Sequence, residues 1–359
     1  MKLMATSTIL EHELSELRLL VERHTGMVLD CPNSALAAHV ADYVEAHGLG
    51  SAAALLGRLR SSEQEASGLT SLLDGLVNTD TGFFRHPGAL NALAKCVVPQ
   101  LCLRKAADAP SPLRIWSAGC STGEETYSIA MAVCDALSHS VAGNSASGSG
   151  RGKSAARNGG VADSATVGGP NPGAATSIHI VGSDLLPDNI ETADRGIYPQ
   201  SALNGLPVAT IRNYFSKISS PTIPARNETE EESGMVEESE SQLNRQAKSG
   251  AASFSGNAAH LLVKPRLRSL VTFNCMNLAR PGYIGRFDCI FCMDVLPHMS
   301  RAQRIALVER LHLYLEPGGY LFLSQTEKLC TSNLNFRSET FDGYTFHRKP
   351  LAASAAYGR

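Results

Sequence analysis

The sequence lacks an excess of either charge and any apolar run long enough to cross a membrane. Its 359 residues carry a formal net charge of −2, so electrostatics gives no reason to expect nucleic acid as a partner. No uninterrupted apolar stretch approaches the roughly 20 residues that a bilayer requires. Met1 to Leu10 holds one lysine and no sustained apolar core, unlike a signal peptide. We therefore expect a cytoplasmic protein without membrane insertion.

A disulfide framework and a metal-binding cluster are also missing from the pattern. The nine cysteines are scattered without framework spacing. Cys289 and Cys292 form a lone C-x-x-C inside Phe287 to Met293, which has the composition of a buried strand. Residues three apart in a strand point to opposite faces, so these two thiols could not share a metal. We expect small buried cysteines and no metal.

Two segments lack the large apolar residues that a core needs. Residues 141–176 are almost wholly Gly, Ala, Ser, Asn and Pro, and residues 221–257 carry a glutamate cluster followed by a Ser, Ala and Gly run. Such compositions cannot offset the entropy cost of ordering, so we expect disordered insertions. An acidic docking tail is the alternative for the second segment.

Outside these two segments, the predicted secondary structure changes in kind once along the chain. Helical stripes between Glu11 and Leu76 predict an all-helical N-terminal domain, residues 1–78. From Leu113 onward, strands alternate with helices, which predicts a doubly wound, mostly parallel α/β sheet. The predicted strands are 113–118, 177–183, 270–275, 287–293, 320–324 and 343–348, and the predicted helices are 124–137, 187–195 and 301–315. Ligands of such sheets bind beyond the carboxyl ends of the strands.

The first strand leads into a glycine-rich turn that matches neither common phosphate-binding pattern. Trp116-Ser-Ala-Gly-Cys-Ser-Thr-Gly-Glu-Glu125 contains no G-x-G-x-x-G and no G-x-x-x-x-G-K-[ST]. Glu124 and Glu125 form an acidic rim that suits a cationic ligand, although helix-start glutamates that complement the helix dipole remain an alternative. Asp184 ends the second strand, where a carboxylate can bind ribose hydroxyls or cap a helix. Together these features favour S-adenosylmethionine, an adenosyl ligand without phosphates.

Five blocks in order resemble the CheR family of chemotaxis-receptor protein-glutamate O-methyltransferases. The blocks are Thr79-Asp-Thr-Gly-Phe-Phe-Arg-His86; Ile115 to Ser128; Gly182-Ser-Asp-Leu185 with Ala193 to Tyr198; Phe273-Asn-Cys-Met-Asn-Leu278 with Phe287 to Cys292; and Leu315 to Leu323 with Glu327. The resemblance covers nearly the whole chain outside the two insertions. It implies a class I methyltransferase-like fold, with residues 79–350 as the methyltransferase domain and residues 213–268 as a small antiparallel β-subdomain.

The resemblance also implies a chemistry and a set of site residues. The cofactor would be S-adenosylmethionine, with S-adenosylhomocysteine as the product, and the acceptor would be a glutamate on a chemoreceptor or related signalling protein, with recruitment to membrane receptors. The implied cofactor-binding residues are Thr79, Thr81, Arg85, Glu125, Asp184, Asn277, Leu278, Met293 and Asp294. Arg85 and His298 are the implied catalytic residues. An ionised glutamate needs no general base, so positioning should supply most of the catalysis.

The sequence departs from the family pattern at several of these positions. Thr79 stands where the family usually has Asn, Met293 and Asp294 replace an Arg-Asn pair, and His298 replaces a Tyr. The alternative is therefore a catalytically weakened CheR-like signalling module that binds the cofactor or its product. The missing dinucleotide fingerprint argues against a nicotinamide-dependent oxidoreductase.

The family's basic docking helix is also absent. The corresponding stretch, Cys31 to Gly50, has no Lys or Arg but contains Asp42 and Glu45. Such a stretch cannot steer toward an acidic target. Either the substrate differs from a standard chemoreceptor, or docking uses other surfaces.

Overall fold

The computed structural model describes residues 9–60, 65–77, 81–107, 111–145, 167–168, 175–218, 259–282, 285–329 and 334–351. The helices are α1 (Glu11–Thr25), α2 (Asn33–Ala46), α3 (Ala52–Arg60), α4 (Glu65–Leu73), α5 (Pro87–Ala92), α6 (Val98–Ala107), α7 (Glu124–Ser145), α8 (Pro187–Arg195), α9 (Val208–Tyr214), α10 (Pro265–Arg268) and α11 (Arg301–Tyr314). The strands are β1 (Leu113–Ala118), β2 (Val167–Gly168), β3 (Ala175–Thr176), β4 (Ile178–Asp184), β5 (Ile197–Pro199), β6 (Phe215–Lys217), β7 (His260–Val263), β8 (Val271–Cys275), β9 (Phe287–Cys292), β10 (Leu315–Leu323), β11 (Arg337–Phe341) and β12 (Tyr344–Arg348). By packing, the chain divides into one unit of residues 1–197 with 263–359 and a second of residues 198–262.

Helices α1 to α4 share one leucine-rich core. In α1 the buried residues Leu14, Leu17 and Val21 recur at helical spacing, which gives the helix one apolar face. The helix ends at Gly26, whose φ of +72° is a left-handed conformation that glycine adopts without a Cβ penalty. The predicted domain boundary between residues 78 and 79 lies outside the described residues and stays a prediction.

The main sheet has seven strands in the order β11-β12-β10-β9-β1-β4-β8. The pairs β1–β4, β4–β8, β1–β9 and β9–β10 are parallel, whereas β12 pairs antiparallel with both β10 and β11. The predicted doubly wound, mostly parallel sheet is thus confirmed. Strands β4 and β8 extend to one side of β1 and β9 to the other, so the order reverses between β1 and β9, which is where such folds bind ligands.

Helix α11 covers part of this sheet with an apolar face. Its Leu307, Val308 and Leu311 belong to one buried cluster with Trp116 of β1 and Ile290 of β9. Each such side chain removed from water contributes roughly 1.5–3 kcal/mol, before the entropy of ordering is subtracted. This packing fixes the strands whose ends carry the site.

The helical stretch from α5 to α6 was not predicted from the sequence. Its two helices are joined by one π-helical turn, Leu93–Val97. The stretch is anchored to the sheet because Asp288, a buried residue of β9, lies 3.0 Å from Lys105 Nζ and 3.4 Å from an Arg104 nitrogen. A buried carboxylate needs such compensation.

The structure contains the predicted small antiparallel sheet, in the order β5-β7-β6. Its strand β5 lies before the predicted subdomain of residues 213–268, and those bounds stay a prediction. Gln200 N donates to Ala259 O, and Ile218 N donates to His260 O. The acidic insertion 221–257 lies outside the described residues. Of the other predicted insertion, 141–176, the structure describes the end of α7, to Ser145, and the short pair β2–β3. None of the described helices is both long and apolar enough to span a membrane.

Candidate active site

A single cavity lies at the carboxyl ends of β1, β4, β8 and β9. The segments that follow these strands contribute Gly119 to Ser121, Leu185 to Leu186, Met276 to Leu278, and Met293 to Val295. The space that the cavity encloses, counted together with the open solvent at its mouth, is about 1260 Å³. Thr25, Met27 and Val77 complete its wall from the helical region.

The glycine-rich turn forms the floor because it permits a close backbone approach. Gly119 has a φ of +84°, and a Cβ at this position would lie 2.5 Å from Val295 Cγ2. Only glycine fits there. Three non-glycine residues that line the cavity also adopt a left-handed conformation: Phe84 (φ 55°), Ser121 (φ 47°) and Asp294 (φ 57°). Backbone strain of this kind concentrates at functional sites.

Asp184 is held in one orientation by three donors. Its Oδ2 accepts from Ser121 N at 2.9 Å, and its Oδ1 accepts from Leu186 N and from Asn189 Nδ2, each at 3.0 Å. Helix α8 has Leu186 at its N-cap position, so Asp184 is not the cap that the sequence left open. A carboxylate oxygen accepts more than one hydrogen bond, and Asp184 also lines the cavity.

The two adjacent glutamates of α7 have separate surroundings. Glu125 lines the cavity and accepts a hydrogen bond from Ser117 Oγ at 2.7 Å. The pKa of Glu125 is raised from 4.5 to about 7, and loss of hydration is the largest cause. The charges of Asp294 and Glu327 also raise this pKa, whereas the Ser117 hydrogen bond and the charge of Arg85 lower it. Glu124 instead accepts from Thr122 Oγ1 and is buried. The acidic rim inferred from the sequence is therefore one carboxylate, Glu125.

Asp294, one of the departures from the family pattern, is paired with two basic side chains. His86 Nε2 lies 3.0 Å from Asp294 Oδ2, and an Arg85 nitrogen lies 3.7 Å from the same oxygen. The neighbouring Met293 is a buried wall residue, 6% exposed. The negative charge at position 294 is thus compensated locally.

His86 lines the cavity and Glu327 supports one of its loops, and neither was proposed as a site residue from the sequence. The Glu327 carboxylate accepts hydrogen bonds from the backbone N–H groups of Asp294, Leu296 and Ser324 at 3.3, 3.0 and 2.8 Å. It thereby fixes the loop that follows β9. The only sequence signal for either residue is its place inside or beside a family-like block.

The connector between α1 and α2 is tied to the cavity loops. Val28 N donates to His298 O at 2.8 Å, Ser300 N donates to Gly26 O at 3.2 Å, and Met27 pairs with Met299 as an isolated antiparallel bridge. Asn277 Nδ2 donates to His24 O at 2.6 Å. The Asn277 side chain is thus bonded to the last turn of α1, while Leu278 packs against the core beneath α11.

The structure brings the predicted residues together with one exception. Thr81, Arg85, Glu125, Asp184, Asn277, Leu278, Met293, Asp294 and His298 all line the cavity. Thr79 lies outside the described residues. Among the described lining residues, Arg85 and His298 alone are exposed, so they mark the mouth.

The polar groups of the cavity fit S-adenosylmethionine. Asp184 offers fixed acceptor oxygens for hydroxyl donors, the backbone of Gly119 leaves room for close approach, and Glu125 offers a carboxyl group whose ionised form a cationic group would stabilise. Within the described part of the chain, no cluster of three or more His, Cys, Asp or Glu side chains could hold a metal ion.

Comparison with known proteins agrees with this site. The family model for the CheR methyltransferase, SAM binding domain, matches residues 79–145 and 232–344, half of the chain. Chemotaxis protein methyltransferase 1 of Pseudomonas aeruginosa is 26% identical over 87% of this chain and 88% of its own length. Chemotaxis protein methyltransferase Cher2 of Pseudomonas putida is 25% identical over 88% and 90%.

A solved structure of magnesium protoporphyrin IX methyltransferase from Synechocystis with bound SAM is 12% identical over 81% of this chain and 91% of that chain, with a TM-score of 0.27. That likeness is too low to support an argument. The family match, together with the two relatives, shows that the chain belongs to the CheR family of S-adenosylmethionine-dependent methyltransferases.

Proposed function

We propose that the chain methylates glutamate side chains of a partner protein, a chemoreceptor or related signalling protein. The observation that carries the proposal is the cavity itself: its inner part has the fixed Asp184 carboxylate and the Glu125 carboxyl group, and Arg85 and His298 are its exposed lining residues. Two relatives that align over most of their length are named chemotaxis protein methyltransferases. A partner of this kind would bring the protein to membrane receptors.

The cofactor would be held mainly by groups that are already in place. Asp184 would accept the ribose hydroxyls, because three donors keep its carboxylate oriented. Glu125 would stabilise positive charge on the ligand, with Ser117 holding the carboxylate. Thr81 and Leu278 would contribute wall contacts. When bound, S-adenosylmethionine supplies an electrophilic methyl group on a positively charged sulfur.

The acceptor side chain requires little chemical help. A glutamate carboxylate is ionised at pH 7 and is the nucleophile in that form, so no residue has to remove a proton. Arg85 and His298 at the mouth would guide the carboxylate, and the apolar wall of Phe84, Met27 and Met299 would exclude water. Positioning and exclusion of water are then the main catalytic contributions.

The alternative, a weakened binding module, rested on the unusual Met293 and Asp294. The pairing of Asp294 with His86 and Arg85 argues against a degraded site, because the altered charge has its own partners. Met293 is packed as a wall residue. We therefore favour a competent transferase with an altered inner surface.

The test is incubation with methyl-labelled S-adenosylmethionine and purified cytoplasmic fragments of chemoreceptors from the same organism. We expect label on the fragment that is released as methanol by mild base, since a glutamyl methyl ester is base-labile. Label stable to base would show a different acceptor atom. Tight cofactor binding without any transfer would support the binding module instead.

A further inference from the structure

The charges on the cavity wall are unfavourable for an anionic acceptor. Three of the described lining residues carry a carboxyl group, namely Glu125, Asp184 and Asp294, whereas Arg85 is the only Lys or Arg among them. Carboxylates favour a ligand with a positively charged sulfur and oppose the approach of a glutamate carboxylate. Binding of such an acceptor therefore depends on which carboxylate the Arg85 guanidinium pairs with.

One oxygen of Asp294 has two basic neighbours at different distances. His86 Nε2 lies 3.0 Å from Asp294 Oδ2, which is hydrogen-bond length, whereas Arg85 Nη2 lies 3.7 Å from the same oxygen, which is beyond it. An ionised carboxylate only accepts hydrogen bonds, so His86 Nε2 is the donor. His86, and not Arg85, therefore makes the hydrogen bond to this oxygen.

The backbone is held on both sides of the His86–Asp294 bond. Asp294 N donates to Glu327 Oε2 at 3.3 Å. On the other side, Phe84 N donates to Ser128 Oγ at 2.9 Å, and His86 is the N-cap residue of α5. The bond thus joins two fixed segments of the cavity wall.

Of the described residues, Arg85 would be the remaining ion-pair partner of Asp294 if His86 were absent. Its side chain is 44% exposed, against 25% for His86, and a displacement of roughly 1 Å would bring it to hydrogen-bond distance. We infer that His86 is a positioning residue, which holds Asp294 so that Arg85 pairs with the acceptor carboxylate and not with Asp294. The inference rests on the proposed function, in which the acceptor is a carboxylate.

The first test is a double-mutant cycle between positions 86 and 294. His86→Ala and Asp294→Asn are made singly and together, and each variant is assayed for the KM of the receptor fragment, the cofactor Kd and the melting temperature. The His86 side chain makes no capping bond to α5, so His86→Ala removes none. His86→Gln is the matched control, because its amide nitrogen can donate from about the position of Nε2.

We expect His86→Ala to raise the KM for the fragment about tenfold, because a charge-assisted hydrogen bond to the acceptor is lost. The cofactor Kd should stay within about twofold, since Asp184 and its donors are unchanged, and His86→Gln should restore most of the KM. In the Asp294→Asn background, His86→Ala should change the KM by less than about twofold, because no carboxylate remains there to attract Arg85. An equal rise of the KM in both backgrounds would mean a purely structural role for His86 and would overturn the inference.

A crystal structure of His86→Ala tests the geometry separately from the activity. We expect an Arg85 nitrogen about 2.9 Å from Asp294, against 3.7 Å in the wild-type protein. An unchanged distance would overturn the inference and leave the proposed function standing. Wild-type protein that transfers no methyl group to any fragment would overturn the proposed function, and this inference with it.

Discussion

Asp184 is oriented by its own protein before any ligand binds, which makes its chemistry sensitive to a one-atom change. In Asp184→Asn one of the two carboxylate oxygens becomes an NH₂ group. Ser121 N donates to one oxygen and Leu186 N donates to the other, so the NH₂ group faces an N–H donor whichever oxygen it replaces. We expect S-adenosylmethionine and S-adenosylhomocysteine to lose affinity equally, by about 1–3 kcal/mol, since both carry the ribose. Calorimetric titration measures this. Asp188→Asn, an exposed change in the first turn of α8, is the control, and unchanged affinity in Asp184→Asn would contradict the assignment.

Glu125 should make cofactor binding depend on pH. Its pKa is raised from 4.5 to about 7, so in the ligand-free protein its contribution to stability is fully present below pH 4.5 and is lost as pH rises through 7. A cationic ligand prefers the ionised form. We therefore expect affinity for S-adenosylmethionine to rise on the order of tenfold from pH 5.5 to 7.5, measured by titration at fixed ionic strength.

Two variants separate this effect from titration of the ligand itself. Glu125→Gln should bind more weakly and show a flatter pH profile. Asp294→Asn should move the midpoint to lower pH, because the charge of Asp294 raises the Glu125 pKa. A wild-type profile that is flat over this range would show that Glu125 does not face the cationic part of the ligand.

At the scale of elements, the connector after α1 is a wall of the site and not a loose link. Gly26 has a φ of +72°, and a Cβ there would lie 2.7 Å from Ala279 Cβ. Gly48 has a similar φ of +63° but nothing within 4 Å of its added Cβ. We expect Gly26→Ala to destabilise the protein by about 1–2 kcal/mol more than Gly48→Ala and to weaken cofactor binding as well. Urea unfolding and titration measure the two effects; equal losses in both variants would mean that the connector tolerates displacement.

The elements that could be predicted from the sequence are those with local signals. Strands such as Leu113–Ala118 and the helix Pro187–Arg195 were predicted at their observed bounds, because alternation, turns and prolines are read within a few residues. The stretch from α5 to α6 was missed. Its apolar residues are interrupted by Pro99 and by a π-helical turn at Leu93–Val97, so their spacing departs from the α-helical repeat of 3.6 residues.

Residues that line the cavity could be predicted where a block of sequence carries them, and their hydrogen-bond partners could not. His86 and Asp294 are 208 residues apart, and Asn277 and His24 are 253 apart. Such contacts are set by the tertiary fold and leave no periodic trace in the chain. The bond from the Asn277 amide to His24 in the last turn of α1 could not be predicted for this reason. The role of Asn277 toward the cofactor stays a prediction.

On the scale of the whole molecule, the ligand should stabilise the joined helical region and sheet together. The cavity wall combines Thr25 and Met27 with the loops after four strands. At about 100 times its Kd, either S-adenosylmethionine or S-adenosylhomocysteine should add ~2.7 kcal/mol to the free energy of unfolding. Calorimetry should show a higher melting temperature with each adenosyl ligand and none with NAD, which lacks its fingerprint here. A response to NAD alone would contradict the assignment of the cofactor.

The left-handed backbone at Phe84, Ser121 and Asp294 has a consequence for how this protein can evolve. Ser121 is the position where glycine would relieve this strain most simply, by about 1–2 kcal/mol, because a serine side chain is small. Phe84 is part of the apolar wall and Asp294 is paired with His86, so glycine at either position would remove contacts that offset the gain. A random library sorted for heat resistance alone should therefore accumulate glycine at Ser121, and sequencing of the survivors would reveal this. Those survivors should be more stable and slower enzymes, with the loss of activity located at one position of the cavity.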